Sequence, residues 1–316
     1  MNKFILLTTS ALVAFGVCLP AFADNATITQ TNETNGLSVQ SQPGAYNGSA
    51  TDDTATIVQA DGSVDVANQQ QNRATFSIDQ ALTSTQLITQ RGNNTAQASQ
   101  TDNGDGGDVQ TITQTTTTKN TTSMQTINNP FGFTNTQTST QTSDNASSVS
   151  QTMGVASTNS ASMNNNIQNA TQNGQTSSSI SQTVDGASNG NIENATQAAG
   201  GAGNSQVASI INGSNNYLEQ VQGLNTVSNT QTAKLTNSSS DRALQYQADG
   251  VVGGSETITQ TGDTNTHAGQ GQGNGANVAA ITQTGGSGDI AIQNQGLLPG
   301  QAGYMFVNSD HVLVHN

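Results

Sequence analysis

The sequence predicts an all-β fold: a repeat β-solenoid of about ten irregular two-strand rungs, with loop insertions and a non-repeat C-terminal tail. Three observations predict it. A five-residue phrase recurs ten times, clusters of Gly, Asn and Asp separate its copies, and the composition is too polar for one thick core. Repeats of about 20–50 residues are typical of solenoids, in which each unit buries its apolar face only against its neighbours.

The repeated phrase has an aliphatic residue at its third position and an amide at its fifth. Alternation of period two places both on one face of a strand and puts Thr or Ser on the other. We therefore predict that the aliphatic and amide residues face inward and form an assembly ladder. Its members are Ile28, Gln30, Ile57, Gln59, Ile88, Gln90, Ile112, Gln114, Val149, Gln151, Ile180, Gln182, Ile210, Asn212, Leu235, Asn237, Ile258, Gln260, Ile281 and Gln283.

Each rung is predicted to contain a second strand. The closing amides of the phrase lie 23 to 37 residues apart, which leaves room for a turn and another strand. Alternating segments occur about ten residues after the phrase, and Gly or Asn clusters lie between; examples are Leu37-x-Val39, Val64-x-Val66, Ala96-x-Ala98, Leu218-x-Gln220 and Ile290-x-Ile292. Ten rungs stacked at about 4.8 Å would give a rod about 50 Å long.

The chain divides into three segments. Residues 1–23 have a basic start, an apolar stretch and small residues before Asp24, as in a secretory signal peptide. The repeat region is 24–295, with an irregular insertion predicted at about 115–145, where the phrase is missing and Pro130 cannot donate to a ladder. Residues 296–316 lie outside the repeat and are more apolar, as a cap, an anchor or a strand for a partner would be.

The composition restricts the class of protein. Hydrophobic residues make up 31%, aromatic residues 3% and charged residues 8% of the chain, against about 45–50% apolar and about 25% charged in an ordinary domain. Chains rich in Gln, Asn, Thr and Ser are prone to cross-β assembly, because stacked amides bond to one another. The net charge of −14 disfavours a nucleic-acid partner. The only cysteine, Cys18, lies in the signal segment.

Little in the sequence suggests catalysis. The three His residues lie near the C-terminal end, and no nucleophile-base spacing accompanies them. The acidic segment at 104–108 resembles a fragment of a calcium-binding repeat, but a single copy favours a plain acidic turn. We expect no enzymatic activity, no cofactor and no metal site.

Two consecutive repeats near the C-terminal end resemble the curlin repeat of curli-type functional amyloids. The resemblance lies in Gln260-x-Gly262-x-x-Asn265 and Asn277-x-Ala279-x-x-x-Gln283, and in similar pieces at Gln90-x-Gly92, Asn94-x-Ala96-x-x-x-Gln100 and Gln283-x-Gly285. The segments starting at Asp24 and Asp53 fit if Asp stands for Asn. The resemblance implies a fibre subunit of biofilm matrix that passes through the periplasm, leaves by a dedicated outer-membrane pore and polymerises as a β-solenoid.

Two hypotheses about function follow. The first is a secreted subunit that polymerises with itself, alone or with a related nucleator subunit, into extracellular amyloid fibres for biofilm matrix and surface adhesion. The alternative is a monomeric solenoid adhesin or anchoring protein that binds cell-surface polysaccharide through its Thr and Asn face. A minor third hypothesis is an ice-binding solenoid, because outward Thr pairs such as Thr257 and Thr259 could match a water lattice.

Overall fold

We analysed a computed structural model of the chain. It describes residues 25–32, 36–41, 54–61, 65–71, 84–92, 95–103, 107–115, 119–128, 134–154, 164–296, 302–307 and 310–315. The predicted signal segment, residues 1–23, lies outside these residues.

The described residues form strands and turns and contain no helix. The strands are β1 (Asn25–Thr31), β2 (Leu37–Ser41), β3 (Thr54–Ala60), β4 (Val66–Gln71), β5 (Thr85–Arg91), β6 (Gln97–Asp102), β7 (Val109–Thr115), β8 (Thr122–Asn128), β9 (Thr136–Thr142), β10 (Ser148–Gly154), β11 (Ile167–Asn173), β12 (Ser179–Asp185), β13 (Ile192–Gln197), β14 (Ser205–Ile211), β15 (Tyr217–Gln222), β16 (Thr230–Thr236), β17 (Arg242–Gln247), β18 (Ser255–Thr261), β19 (His267–Gln272), β20 (Val278–Thr284), β21 (Ile290–Gln295), β22 (Ala302–Val307) and β23 (Asp310–His315).

Two parallel sheets build the solenoid. The odd-numbered strands β1 to β21 form an eleven-stranded sheet, the odd sheet, and the even-numbered strands β2 to β20 form a ten-stranded sheet, the even sheet. Consecutive strands lie in opposite sheets, so the chain coils, and each rung contributes one strand to each sheet. The predicted two-strand β-solenoid is confirmed, with ten rungs followed by β21 among the described residues.

Alternation along each strand fills the space between the sheets. In β3, Ala55, Ile57 and Gln59 are buried, and the residues between them face outward and are half-buried. A strand of seven residues thus supplies three inward side chains, and the core contains only those of the two facing strands. This arrangement explains how a chain with few apolar residues forms a packed interior.

Residues in the left-handed backbone region make the corners between the strands. One corner file consists of residues with φ between 51° and 70°: Gly186, Asn212, Asn237, Gly262 and Gly285. Glycine adopts this conformation without a Cβ clash, and asparagine tolerates it better than most residues. The Gly and Asn clusters of the sequence therefore fix where each strand ends.

The described part of the predicted insertion at about 115–145 belongs to the solenoid, whereas residues 116–118 and 129–133, which include Pro130, lie outside the described residues. This segment contains β8 and β9, which continue the even and odd sheets in register. The phrase is missing there because β9 has Ser139 where β7 has Ile112, although Gln141 still follows Gln114 in its file. The interval between Gln114 and Gln151 is also long because the two glutamines lie in different sheets, Gln114 on β7 of the odd sheet and Gln151 on β10 of the even sheet.

The solenoid is most regular in its C-terminal half. From Gln172 to Gln272, equivalent residues of the odd sheet lie 25 residues apart in successive rungs. After β21, the strands β22 and β23 form a separate antiparallel pair. The strand β22 lies against β17, β19 and β21. All six residues of β19 are buried, including the outward-facing Gly269 and Gly271, whose lack of side chains permits close approach of another strand.

Candidate functional site: the amide core and the open ends

The longest feature of the core is a glutamine file along the odd sheet. Each side chain donates from Nε2 to Oε1 of the glutamine in the next rung, at 2.7 to 3.3 Å. Nine such bonds join ten glutamines, and Gln295 occupies the next register position. The ten are Gln30, Gln59, Gln90, Gln114, Gln141, Gln172, Gln197, Gln222, Gln247 and Gln272.

A second long file runs along the even sheet through the first six rungs. Its bonds measure 2.7 to 2.9 Å and join Gln40, Gln69, Gln100, Gln125, Gln151 and Gln182. Many of these side chains also donate to a backbone carbonyl of the facing sheet, as Gln151 does to Thr138 at 2.9 Å. Both N–H groups of such an amide therefore have an acceptor, which is what burial of a polar group requires.

Two shorter ladders end on buried glutamates. One begins at Gln86 and passes through Gln110 and Gln137 to Gln168, which donates to Oε2 of Glu193 at 2.8 Å. In the other, Gln206 donates to Gln231 and Gln231 donates to Glu256, both at 2.8 Å. Burial raises the pKa of Glu193 to about 8 and raises that of Glu256 well above its usual value, although the glutamine bond acts in the opposite direction in each case.

Asparagines line one corner of the solenoid in the same way. The backbone N–H of Asn166 donates to Oδ1 of Asn135, and its Nδ2 donates to the same oxygen. Asn191 repeats both bonds on Asn166. An aspartate, Asp108, begins the file by accepting from Asn135. The turns are therefore bonded along the solenoid axis as well as the strands.

Aliphatic residues occupy the inward positions that the amides leave. The packed aliphatic side chains form separate clusters, one around Ile57, Ile88 and Ile112 and a larger one that includes Ile210 and Ile258. Among the described residues the buried set contains aspartates, glutamates and one histidine but no lysine or arginine. The core is thus a neutral or acidic amide lattice with aliphatic patches.

Eighteen of the twenty predicted ladder residues face inward, in several files instead of one. In the odd sheet, Ile28, Ile57, Ile88 and Ile112 stack, as do Gln30, Gln59, Gln90 and Gln114. The others lie in the even sheet as short stacks: Val149 with Ile180, Gln151 with Gln182, Ile210 with Leu235, Ile258 with Ile281, and Gln260 with Gln283.

The prediction of an inward ladder position is wrong for two residues. Asn212 and Asn237 lie at exposed corners, with φ of 51° and 52°, and not in the core. The phrase has moved along the strand there: Ile180 pairs with Gln206, and Ile210 pairs with Val184. Ile210 and Leu235 therefore occupy the last inward position of their strands, so that the residues two positions later, Asn212 and Asn237, already belong to the turn.

Sequence reasoning missed the later members of the odd-sheet file, because their strands lack the aliphatic residue of the phrase. In β11 and β13 an alanine precedes the glutamine by two positions, and in β15 and β17 another glutamine does. The available signal was the strict interval of 25 residues from Gln172 to Gln272. Further buried glutamines, such as Gln220 and Gln245, follow the same interval.

Each end of the solenoid presents open strand edges. Among the described strands, β1 and β2 at one end have a neighbour on one side only, and β20 and β21 at the other end do as well. Ile28 and Gln30 at the first end, and Gln283 and Gln293 at the other, are half-buried although equivalent side chains farther inside are fully buried. The interior of the solenoid is therefore open at both ends, where ladder side chains and the backbone groups of the outer strand edges are exposed.

Comparison with known proteins finds neither a matching protein family nor a matching curated protein. Within the described residues, no group of three or more His, Cys, Asp and Glu side chains is placed to hold a metal ion. The described part of the chain also contains no helix of the length and hydropathy needed to cross a membrane.

Proposed function

We propose that this chain is a secreted structural subunit that stacks end to end with copies of itself into extracellular amyloid fibres, which contribute to biofilm matrix and surface adhesion. The observation that carries the proposal is the pair of open ends. The amide and aliphatic files that fill the solenoid reach both ends, and among the described strands none pairs with the outer edges of β1, β2, β20 and β21.

The physical reason is the unmet bonding at those edges. Along an outer parallel strand, the backbone N–H and C=O groups that point away from the sheet lack partners, and such an edge templates another strand. An amide ladder gains a bond with each added rung, as the nine odd-sheet bonds do within one chain. Stacking a second copy continues both kinds of bonding with the geometry already used inside the chain.

The remaining parts of the proposal rest on the sequence. The signal-like segment 1–23 supports export, and the curlin-like pieces support assembly outside the cell by way of a dedicated outer-membrane pore, with or without a nucleator subunit. The net charge of −14 favours solubility before assembly, because like charges repel between free chains.

Electron microscopy and fibre diffraction of the purified chain without residues 1–23 test the proposal. We expect unbranched fibres with a reflection at about 4.7–4.8 Å along the fibre axis, formed without any partner and with a lag that seeds remove. A chain that stays monomeric at tens of micromolar over days, by light scattering and microscopy, contradicts it.

A second candidate is a monomeric adhesin that binds polysaccharide. One observation favours it: the even sheet carries an outward file of hydroxyl side chains over five successive strands, namely Thr101, Thr126, Thr152, Thr183 and Ser209. A regular hydroxyl surface offers both donors and acceptors to sugar hydroxyls. Retention of the soluble chain on polysaccharide-coated beads, lost when Thr152 and Thr183 are both changed to Val, would support this function.

A further inference from the structure

The number of solenoid strands is odd, and this constrains how two copies can stack. Among the described residues, the solenoid begins with an odd-sheet strand, β1, and ends with another, β21, after 21 strands. The odd sheet therefore has one strand more than the even sheet. At the C-terminal end, β21 extends past β20 by half a rung.

Two head-to-tail arrangements follow from this count. If β1 of a second copy stacks on β21, each sheet continues as itself, but the layer above β20 is left empty because β2 is the next even-sheet strand. If β1 of the second copy stacks on β20 instead, its β2 stacks on β21 and every layer is filled. In the second arrangement the odd sheet of one copy continues the even sheet of the other, so successive copies differ by a half-turn about the fibre axis.

We propose that copies of this chain associate by the half-turn arrangement, with β20 and β21 of one copy bound to β1 and β2 of the next. The inference rests on the proposed function and names its interface. Three matches between the two ends support it.

The inward side chains match first. On β20 they are Ala279, Ile281 and Gln283, and on β1 they are Ala26, Ile28 and Gln30. Inside the chain, β1 already stacks on an identical set, since Ala26 pairs with Ala55, Ile28 with Ile57 and Gln30 with Gln59, with an amide bond of 2.7 Å. The half-turn arrangement places a third copy of this set on the free side of β1.

The exposed aliphatic side chains match second. Leu37 and Val39 face outward on β2 with 55% and 46% of their surface exposed, and Ile290 and Ile292 face outward on β21 with 52% and 41% exposed. The half-turn arrangement stacks Leu37 on Ile290 and Val39 on Ile292, and it removes apolar surface from water on all four. The same-sheet arrangement would instead place Asn25 and Thr27 over the two isoleucines.

The turns match third. Five residues, 285–289, separate β20 from β21, and five residues, 32–36, separate β1 from β2. Each begins with a residue of positive φ, 63° at Gly285 and 52° at Asn32. Because Ala291 lies eight positions after Gln283 and Ser38 lies eight positions after Gln30, the two strand pairs have the same spacing of inward residues.

Disulfide trapping distinguishes the two arrangements. The chain without residues 1–23 has no cysteine, so two can be introduced freely. The variant Val39→Cys with Ile292→Cys places a thiol of one copy beside a thiol of the next only in the half-turn arrangement, while Thr27→Cys with Ile292→Cys does so only in the same-sheet arrangement. Within one chain the two positions lie at opposite ends, about 50 Å apart, so any disulfide joins two copies.

Fibres of each variant are grown under reducing conditions, oxidised briefly and run on a denaturing gel without reductant. We expect the first variant to give at least about tenfold more covalent oligomer, because a disulfide requires Cα atoms within about 7 Å. Stronger cross-linking of the second variant, or equal or no cross-linking of both within fibres, overturns the proposal but leaves fibre formation standing. If the unsubstituted chain forms no fibres, the proposed function fails and this interface fails with it.

Helical reconstruction of unmodified fibres gives a second measurement that no substitution affects. The half-turn arrangement predicts a rise of ten and a half layers per copy, about 50 Å, with a rotation near a half-turn added to the solenoid twist. A rotation near zero, with a rise of eleven layers, overturns the proposal.

Discussion

The side-chain amide of Gln168 donates to Oε2 of Glu193 at 2.8 Å, and with this bond a ladder of four buried glutamines ends on a buried carboxyl group. The next residue in the file is Leu218, which offers no acceptor. The ladder needs only an acceptor at position 193, and the carboxyl oxygen of Glu193 supplies it. The file from Gln206 to Glu256, which continues with Ala279, ends in the same way.

The first prediction is that folding stability falls as pH rises. Burial raises the folded-state pKa of Glu193 from 4.5 to about 8, and it raises that of Glu256 as well. Between these values the folded chain keeps protons that the unfolded chain has lost, so stability is full below about pH 4.5, decreases above it and levels off beyond about pH 8. Since one pKa unit corresponds to about 1.4 kcal/mol, urea unfolding should show a loss of several kcal/mol between pH 5 and 8.

A matched pair of substitutions checks the origin of this dependence. Glu193→Gln should remove a large part of it and make the chain more stable at pH 8 than the parent. Glu219→Gln, which changes an outward-facing glutamate of β15, should leave the dependence as it is. An equal effect of the two substitutions would show that the buried carboxyl group is not the cause.

The second prediction concerns the longest ladder. Gln197 accepts from Gln172 at 2.9 Å and donates to Gln222 at 3.0 Å. Gln197→Lys buries a charge and removes the acceptor of the Gln172 bond, which should cost about 3–5 kcal/mol and prevent folding of the surrounding rungs. Thr196→Lys adds the same charge on the outward face and should change stability by less than about 1 kcal/mol. Circular dichroism with urea titration measures both, and similar losses would contradict the assigned faces.

The sequence predicts which face a residue occupies better than it predicts the file to which it belongs. Each strand has about three inward positions, and a shift of two residues keeps every side chain on its face. The five-residue phrase can therefore start at different inward positions in different strands. From β16 to β18 it shifts by two residues, so that Leu235 pairs with Gln260 and Ala233 pairs with Ile258. The period-two pattern contains nothing that distinguishes these registers.

The register instead comes from the corners between the strands. A strand ends where a residue adopts positive φ, and the file of Gly186, Asn212, Asn237 and Gly262 fixes that point in successive rungs. Because asparagine is common both in amide ladders and in left-handed turns, composition alone could not separate Asn237 from the inward amides. The corner hydrogen bond from the backbone N–H of Asn237 to the carbonyl of Ile211, at 2.9 Å, makes the distinction.

The third prediction tests that corner assignment. Asn237→Gly should be nearly neutral, because the equivalent residue in the next rung is Gly262 with φ of 67°. Asn237→Val should cost about 1–2 kcal/mol, since a β-branched residue is strained at positive φ. An inward ladder role would instead make the glycine substitution strongly destabilising. Thermal unfolding of the two variants decides between these outcomes.

The fourth prediction compares two neighbouring positions on β18. Ile258 is fully buried in the largest aliphatic cluster, and Thr257 faces outward. Ile258→Asn loses burial worth about 2–3 kcal/mol and adds a polar group without a designed partner. Thr257→Asn should stay within about 1 kcal/mol. Seeded fibre growth should accordingly be abolished by the first substitution and slowed no more than a few-fold by the second.

The last prediction concerns the polarity of the fibre. Gln30 lies at the β1 end and Gln283 at the β20 end, and both are half-buried, so a lysine at either position can reach solvent in the free chain. In a head-to-tail stack the same lysine would be enclosed against the next copy. Gln30→Lys and Gln283→Lys should each therefore stay monomeric, because every contact needs one end of each kind. Mixed together, they retain one usable β20 end and one usable β1 end, and they should form a dimer that grows no further, as sedimentation velocity would measure. Fibres from either variant alone would mean that copies associate through some other surface, and continued monomers in the mixture would mean that the ends do not bind each other.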